Sequence, residues 1–515
     1  VTVSVLYWKE LARLFTCSTA DPSMQRASAR RLGNAATSLR AKPIVPPASV
    51  PTAAEVKAHL SKMPPVTITT LPNGVKVMSE QLPGVSFCNI GVWIDAGSRF
   101  ETRENNGVAH FLEHMNFKGS PKYTKADIDT LFEHNGSHFN AYTARDRTAY
   151  YVKAFNQHAD PSMRLVSDVL CNSNLEPRLV EAERGTILAE MRDVESLVDE
   201  VIMDNLHLCA FDADVSGLPL TILGPVRNVN GTIDRTMLRN YVDTHYTGPR
   251  MNLVCSGGLE HAEVEKIAQQ NLGWLPKDNH RPVIKSEYVG GEHALWSLNT
   301  MTANAAWAIP MCGMSNPECL VMQLVHQILG SYRRDFNALF RNLKGTILNS
   351  SFATELPNEL ETINPFFTPY EEVSLFGFYY VTVPSENNRD ALERMVSRNL
   401  LQLQYLATHE IDADQLERVK TAFKAAHLLI MDGTTNRCEE MGRQLIQTRS
   451  FENSAALFER LDQVTPATVC EVVSRYFTNA RPTISLVGNP SYLWGFDSTQ
   501  FLRSKIEQAT SGASP

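Results

Sequence analysis

Long apolar runs and paired cysteines are both missing from this 515-residue chain. No hydrophobic segment approaches the ~20 residues that a membrane-spanning helix needs, so we expect a soluble or peripheral protein without its own transmembrane segment. The nine cysteines include no C-x-x-C pair, which suits a reducing compartment and argues against a cysteine-based zinc site. The net charge of -8 argues against nucleic acid as the natural partner.

The length and a weak internal repeat indicate two homologous domains. A chain of this size can form two or more domains with substantial cores. Residues 234–258 resemble residues 464–490, and each copy reads as an amphipathic helix, a proline-containing break and a β-run that ends in glycine. We therefore expect an α+β fold built from a duplicated unit. The expected limits are an N-terminal arm with a Pro-rich linker at 1–62, a first domain at 63–276, a linker at 277–292, a second domain at 293–500 and a tail at 501–515.

One pentapeptide carries the clearest chemical signal, the H-x-x-E-H formed by His110, Glu113 and His114. It is the inverted form of a zinc-peptidase signature. Zinc binds neutral imidazole nitrogens and carboxylates, and three protein ligands leave its fourth position open for water. Glu190, 76 residues after His114, is a suitably placed third ligand. Glu113 is then available as the general base that acts on the water.

The motif has the pattern of a helix. Gly107 and the two asparagines before it are start signals, and no proline interrupts the next dozen residues. At about 100° per residue, the apolar side chains of this stretch share one face and the histidines lie opposite. The alternative is an amphipathic helix whose polar face happens to carry two histidines.

Glu190 belongs to an acid-rich pattern that predicts one long helix from about Leu179 to Phe211. Eight acids and two arginines lie between Glu181 and Asp204. An acidic wall beside a metal site would attract a basic substrate. A solvated charged face explains the same run equally well in isolation.

Two further segments have readable patterns. Residues 137–152 alternate and are rich in β-formers, with a polar turn at Arg145 and Asp146, which predicts a hairpin. The stretch from Met24 to Ala41 contains no acid and is rich in Arg, Ser and Ala, which is typical of a mitochondrial transit peptide. The same segment could instead be an N-terminal docking arm.

Three stretches around and after the motif resemble a known family. The stretches HFLEHMNFKGS, SHFNAYTARDRTAYYVKAF and ERGTILAEMRDVESLVDEVIMDNLHLCAF resemble pitrilysin-type, inverted-zincin metallopeptidases. The similar branch contains the β subunits of mitochondrial processing peptidase and the core subunits of respiratory complex III. The resemblance is dense over residues 65–275 and thinner to about 490. It implies two pitrilysin-like domains, each a mostly antiparallel sheet covered by helices, facing across a central cavity.

The resemblance implies a role for each matching residue near the motif. His110, His114 and Glu190 would be the ligands of Zn²⁺, and Glu113 would be the catalytic base. Glu183 would support the site from outside the ligand set, where such groups orient ligands. The first domain would therefore carry the chemistry. The second has no H-x-x-E-H, and only His326 remains in the corresponding helix, at about 316–330.

The resemblance also implies how a peptide would bind. Glu200 and Asp204 would receive the arginine found two residues before the cleavage site. Phe117 would form the apolar wall that accepts a bulky residue just after the scissile bond. The substrate would pair with an edge strand, so that main-chain hydrogen bonds hold any extended peptide. The residues of that strand would be Phe139, Asn140, Ala141 and Tyr142.

The implied function is that of a zinc metalloendopeptidase subunit that removes presequences from imported mitochondrial proteins. The glycine-rich loop of noncatalytic α subunits is absent, so we expect an α-type partner, with basic presequence peptides as substrates in the mitochondrial matrix. The alternative is a catalytically silent scaffold, a core subunit of complex III (ubiquinol-cytochrome c reductase) at the matrix face of the inner membrane. The two roles can also be combined, in a core subunit that keeps its zinc site and processes presequences while it scaffolds the complex. A pitrilysin-type oligopeptidase is disfavoured because its four-domain members are much longer.

Overall fold

The computed structural model describes residues 55, 58, 60, 62–277, 285–298, 300–334, 360–493 and 498–511. The transit-peptide-like stretch and nearly all of the expected N-terminal arm lie outside the described residues. Within the described ranges, no helix has both the length and the apolar character needed to cross a membrane.

The first half of the chain forms one six-stranded sheet with helices. The strands are β1 (Val66–Thr70), β2 (Lys76–Gln81), β3 (Phe87–Ile94), β4 (His138–Thr143), β5 (Thr148–Phe155) and β6 (Met251–Gly257). The helices are α1 (Val108–Asn116), α2 (Lys125–His134), α3 (Ala159–Asn172), α4 (Pro177–Glu195), α5 (Val198–Ala210), α6 (Arg235–His245) and α7 (His261–Leu272). Short helical turns occupy Ser98–Phe100, Asn156–His158, Asn228–Thr232 and Gly248–Arg250.

The second half repeats this arrangement. Its strands are β7 (Glu292–Trp296), β8 (Asn304–Cys312), β9 (Tyr332–Arg333), β10 (Leu360–Pro369), β11 (Val373–Thr382) and β12 (Thr483–Gly488). Its helices are α8 (Glu318–Leu329), α9 (Asn388–Thr408), α10 (Ala413–Ile430), α11 (Thr434–Gln447), α12 (Ser454–Gln463), α13 (Pro466–Phe477), α14 (Pro490–Leu493) and α15 (Ser498–Thr510).

The two sheets share a core of five strands, since β2-β6-β3-β5-β4 of the first corresponds to β7-β12-β8-β11-β10 of the second, and each sheet adds one further strand at the opposite edge, β1 or β9. The first has the strand order β1-β2-β6-β3-β5-β4 and the second has β7-β12-β8-β11-β10-β9. In each sheet a single parallel pair, β2 with β6 or β7 with β12, interrupts otherwise antiparallel pairing. The repeat seen in the sequence corresponds to α6 followed by β6 and to α13 followed by β12. The α+β prediction with two similar halves is therefore confirmed.

The prediction of one long helix from about Leu179 to Phe211 is wrong, because this segment forms two helices, α4 and α5. The break falls at Ser196 and Leu197. The hydroxyl of Ser196 donates to the carbonyl oxygen of Asp193 at 2.6 Å, and Leu197 has an extended backbone. Serine competes for backbone acceptors in this way, and acids in the first turn then favour a new helix start.

The C-terminal segment also differs from expectation. Residues 501–510, which we expected to form a tail, belong to α15. Leu502 and Ile506 lie one helical turn apart and are buried in the core of the second half, which holds the helix in place. The segment before β7, expected to be a linker, pairs with the first half, because Gly291 donates its amide hydrogen to the carbonyl of Cys209 at 2.7 Å. The predicted domain limits remain predictions.

Each sheet packs on helices of its own half on one face and on a helix of the other half on the opposite face. Helix α11 covers the first sheet, and its Met441 and Leu445 pack with Trp93. Helix α5 covers the second sheet, and its Ile202 and Leu206 pack with strands β8, β11 and β12. This exchange of helices joins the two halves through buried apolar surface.

A buried carboxylate fixes the contact between α11 and the first sheet. Glu439 accepts hydrogen bonds from Trp93 Nε1 at 2.9 Å and from the Tyr142 hydroxyl at 2.7 Å, and pairs with Arg147 at 3.0 Å. One turn later, a Cβ at Gly442 would lie 2.3 Å from the Trp93 ring. The helix can approach the sheet this closely only because glycine stands there.

We expect Glu439→Ala to destabilise the protein by about 3–5 kcal/mol, because it removes the acceptor of two buried donors and one of the two carboxylates that pair with the buried Arg147, the other being Asp146. The midpoint of urea unfolding measures this loss. Glu440→Ala is the matched control, because the hydrogen bonds of Glu440 go to Arg443 and Gln444 of the same helix. It should cost clearly less than Glu439→Ala, about 1–2 kcal/mol, because it removes acceptors only from side chains of α11 itself. Equal losses in the two variants would contradict the role given to Glu439.

Candidate active site

The helix that carries the H-x-x-E-H motif is held at its N-terminus by the carboxylate of Glu101, which precedes the helix in the chain. Helix α1 begins after Gly107, whose φ is 98°, as the sequence predicts. The two carboxylate oxygens of Glu101 accept the backbone N–H groups of Gly107 and Ala109, each at 2.8 Å. Burial raises the pKa of Glu101 to about 7, although these hydrogen bonds oppose the shift. This cap fixes where the helix starts and thereby where its histidines lie.

The structure brings the three expected ligands together. One nitrogen each from His110 and His114 and one oxygen from Glu190 all lie within 4.8 Å of one another. The Glu190 carboxylate lies between the rings, with Oε2 3.2 Å from His114 Nε2 and Oε1 3.6 Å from His110 Nε2. Ligands about 2.0–2.1 Å from a tetrahedral zinc are about 3.3 Å apart, and the two distances from Glu190 to the histidines are close to this value.

Glu183 lies where the resemblance places it, beside His114 and outside the ligand set. Its Oε1 is 2.9 Å from His114 Nδ1, and its Oε2 pairs with Lys118 Nζ at 2.5 Å. Because Nδ1 is engaged by a carboxylate, Nε2 of the same ring is the nitrogen that faces Glu190. Carboxylates placed in this way fix the tautomer and orientation of metal-binding histidines.

The electrostatics of the cluster favour a cation. Burial alone lowers the pKa of His114, but the carboxylates of Glu183 and Glu190 outweigh it and raise the pKa to about 9. Burial raises the pKa of Glu190, and the two imidazoles overcome this effect and hold it at about 2. The two carboxylates that contact the His114 imidazole are stabilised by a positive charge at this position. A divalent metal supplies that charge as well as a proton does.

Glu113 lies on the same helix and is 8% exposed. Its Oε2 accepts a hydrogen bond of 2.6 Å from the hydroxyl of Thr143, the last residue of β4. Burial raises the pKa of the Glu113 carboxyl, while His110, Thr143 and His114 oppose the shift. The Glu113 carboxylate, the expected base, is therefore oriented by the strand that the resemblance assigns to substrate binding.

That strand is an edge. Strand β4 pairs with β5 and ends the order of the first sheet, and together they form the hairpin predicted over 137–152. Phe139 and Asn140 are half-buried, whereas Ala141 is buried. Tyr142 is 2% exposed and its hydroxyl contacts Glu439, so its side chain points away from any peptide. Only its main chain is available to a bound strand.

An aromatic cluster borders the end of helix α1. The ring of Phe117 lies 4.8 Å from that of Phe139, which stacks on Phe132 at 4.9 Å between centroids. Phe117 and Phe139 are half-buried. The two residues expected to contact substrate on this side therefore form one apolar surface that connects the motif helix with the edge strand.

The acid pair expected to receive an arginine lies on α5. Glu200 and Asp204 are one turn apart, and both are half-buried. Asp204 already has a partner within the chain, because its Oδ1 is 2.6 Å from Nη2 of Arg145, in the turn after β4. Sequence reasoning treated Arg145 only as a turn residue and did not place it at this site.

The second half does not repeat the cluster. Among the described residues, His110, His114 and Glu190 form the one group of three or more metal-ligand side chains close enough to share an ion. His326 on α8 lies 3.0 Å through its Nε2 from the carbonyl oxygen of Pro365. This contact supports the structural role that the sequence suggests for a lone histidine.

Sequence reasoning also missed Thr143, Lys118 and Glu101. Thr143, Lys118 and Glu101 themselves lie outside the pentapeptide. Their partners lie 30, 65 and eight or fewer positions away, respectively. A signal existed only for Thr143, because the predicted hairpin ends its first strand there. The other two have no local pattern that marks them.

The fold and the site together define a class, that of two-domain metallopeptidase-like proteins. The chain has an H-x-x-E-H helix, a carboxylate from a neighbouring helix beside the two histidines, and a duplicated α+β fold. Comparison with known proteins identifies the family. The profile of insulinase, peptidase family M16, matches residues 76–225, and that of the M16 inactive domain matches residues 232–423. The chain belongs to peptidase family M16, whose members are in general zinc-dependent.

The relatives fall into two functional groups. The mitochondrial core protein I of the ubiquinol-cytochrome-c reductase complex from Euglena gracilis is 37% identical over 83% of this chain and 88% of its own length. The β subunit of mitochondrial-processing peptidase from Dictyostelium discoideum is 34% identical over 84% of this chain and 90% of its own. A chain of complex III2 from Candida albicans has a TM-score of 0.74 and 18% identity, covering 86% of this chain and 100% of its own. This last match concerns the fold alone.

We expect Glu183→Gln to weaken zinc binding by about 10–100-fold, because it removes the charged acceptor that orients His114. Competition with a zinc-selective chelator measures the affinity. Glu195→Gln is the matched control, since Glu195 is an exposed acid on the same helix α4. If both substitutions leave zinc affinity unchanged, Glu183 does not orient a ligand.

Proposed function

We propose that this chain is the metal-binding subunit of a mitochondrial zinc metalloendopeptidase that removes presequences from imported proteins. The observation that carries the proposal is the convergence of His110, His114 and Glu190 beside the buried Glu113. Family membership supports peptidase chemistry, and the processing-peptidase relatives support the choice of substrate.

In the proposed mechanism, His110, His114 and Glu190 would hold the zinc ion. The bound ion would lower the pKa of a water molecule and polarise the scissile carbonyl. Glu113 takes the proton of the attacking water and passes it to the leaving amine. The Thr143 hydroxyl bonds to Oε2 of Glu113 and so directs the carboxylate, which leaves Oε1 for the proton.

The substrate would bind as an extended strand along the free edge of β4. Main-chain pairing accepts peptides of varied sequence, which suits presequences that share little beyond basic character. The Phe117 and Phe139 surface would contact an apolar residue, and the acid pair on α5 would contact a basic one. Because Thr143 ends β4 and also binds Glu113, a peptide on this edge would pass directly beside the base.

The proposed assembly contains an α-type partner in the mitochondrial matrix. The processing-peptidase relative from Dictyostelium discoideum is a β subunit, and both it and the core protein I from Euglena gracilis carry mitochondrial names. The Arg- and Ser-rich sequence at residues 24–41 agrees with import into mitochondria.

A second candidate is a core subunit of complex III, at the matrix face of the inner membrane. The 37% identity to a core protein I favours it. Such a subunit could be a silent scaffold, or it could retain peptidase chemistry inside the complex. Co-purification of the chain with ubiquinol-cytochrome c reductase activity would support this assembly.

The test of the proposed function is cleavage of a presequence peptide by the natively purified assembly that contains this chain. The peptide carries arginine two residues before the expected cut, and a metal-chelated sample serves as reference. We expect cleavage at that bond, its loss on chelation and its return with zinc. No cleavage with zinc and the α-type partner present would refute the peptidase and favour the scaffold.

Substitutions at Glu113 and Glu190 should separate catalysis from metal binding. Glu113→Gln should lower kcat by about 10²–10⁴-fold and leave zinc bound, because it removes only the proton acceptor. Glu190→Gln should instead weaken zinc binding, because it removes a charged ligand. Steady-state cleavage and metal analysis of each variant measure the two effects. Glu133→Gln, an exposed acid on α2, is the control. A Glu113→Gln variant that still cleaves at the wild-type rate would contradict the proposed mechanism.

A further inference from the structure

The acid pair on α5 already contains an arginine of this chain. Nη2 of Arg145 lies 2.6 Å from Oδ1 of Asp204, and the Arg145 side chain is 11% exposed while that of Asp204 is 30% exposed. Arg145 lies two residues after Thr143, the end of the edge strand β4. The guanidinium therefore enters the acid pair from the side of the strand proposed to bind substrate.

The surroundings of Arg145 keep it charged. Burial lowers the pKa of its guanidinium, but Asp204, Tyr370 and Glu200 outweigh the burial and raise the pKa. The neighbouring His207 shares a hydrogen bond of 2.9 Å with the Tyr370 hydroxyl, and burial together with Arg145 holds its pKa well below the usual range. The histidine is thus neutral, and Arg145 is the local cation.

The guanidinium is incompletely satisfied. Its Nε is buried and has no hydrogen-bond partner. Its contact with Asp204 uses one nitrogen, whereas an arginine can form two parallel bonds with a carboxylate. A single bond of this kind can be exchanged for a bond to another cation at a smaller cost than a bidentate pair.

We propose that Arg145 is a specificity-determining residue that competes with a substrate arginine for the carboxylate of Asp204. Its charge removes half of the formal negative charge of Glu200 and Asp204 before any peptide arrives. The inference rests on the proposed peptidase function and deepens it. The acid pair selects an arginine less strongly than two carboxylates would, which suits an enzyme with many presequence substrates.

Two peptides test this competition, one with arginine two residues before the cut and one with citrulline, its neutral isostere. Arg145→Gln should lower the KM of the arginine peptide about fivefold with little change in kcat, because the removed charge opposes binding in ground and transition states alike. The KM of the citrulline peptide should not change. Arg145→Lys keeps the charge and should keep the wild-type discrimination between the peptides.

Arg437→Gln is the matched control. Arg437 on α11 is 12% exposed, pairs with Glu80 at 2.5 Å and also has a buried Nε without a partner. Its loss should cost comparable stability and leave the discrimination between arginine and citrulline unchanged. If Arg145→Gln changes both peptides equally, or weakens the arginine peptide, Arg145 is a structural tether and the inference is wrong.

Asp204→Asn provides a test that does not depend on the folding of the first variant. It leaves the charge of Arg145 opposing that of Glu200, so the preference for arginine over citrulline should fall to about one. The double variant Arg145→Gln/Asp204→Asn should regain the preference. A preference that survives in the single variant would overturn the competition.

A binding measurement separates this inference from the proposed function. Fluorescence anisotropy of labelled peptides on the zinc-supplied assembly carrying Glu113→Gln reports affinity without cleavage. Tighter binding of the arginine peptide upon Arg145→Gln would support the competition even if the wild-type assembly fails to cleave, which would refute only the peptidase. Absence of peptide binding would overturn the competition.

Discussion

The contact between Glu439 and the first sheet is the constraint on which the arrangement of the two halves depends. Its carboxylate accepts from Trp93 and Tyr142 and pairs with Arg147, three residues of strands β3, β4 and β5 or their connection. A buried carboxylate is tolerated only where donors and a cation surround it. The second half must therefore dock in one position, with α11 against the sheet that carries the edge strand.

The β4–β5 hairpin connects the Glu439 contact with the residues of the candidate active site. Tyr142 and Arg147 contact Glu439, while Thr143 between them contacts Glu113 and Arg145 contacts Asp204. Four residues within the segment 142–147 of one hairpin thus link the second half, Glu113 and the acid pair on α5. A half without an H-x-x-E-H motif still contributes to the candidate site, because it holds the strand whose Thr143 orients Glu113.

Much of this arrangement could be predicted from the sequence. His110, His114 and Glu190 belong to residue types whose spacing has a specific chemical meaning, so they were found without structure. The hairpin and the repeated unit follow from period-two alternation and from similarity between distant segments, whereas the position of the hairpin at a sheet edge was implied only by the family resemblance. These signals are local, or they are repeated along the chain.

The rest depends on contacts between residues far apart in sequence. Glu439 and Tyr142 are 297 positions apart, and Arg145 and Asp204 are 59 apart. No local pattern marks a glutamate that will lie inside another half or an arginine that will enter an acid pair. The break at Ser196 was missed for a different reason, since a single serine whose hydroxyl bonds to the backbone is the local feature found there, within an otherwise continuous helical pattern.

The central claim is that this chain binds a catalytic metal rather than preserving an empty motif. Mass-spectrometric metal analysis of the natively purified assembly tests it most directly, with a His114→Ala variant measured alongside. The account predicts one zinc ion for each copy of this chain, removed by chelation, regained on adding zinc and absent from the variant. A wild-type assembly that holds no zinc at this chain even when zinc is supplied would contradict the account.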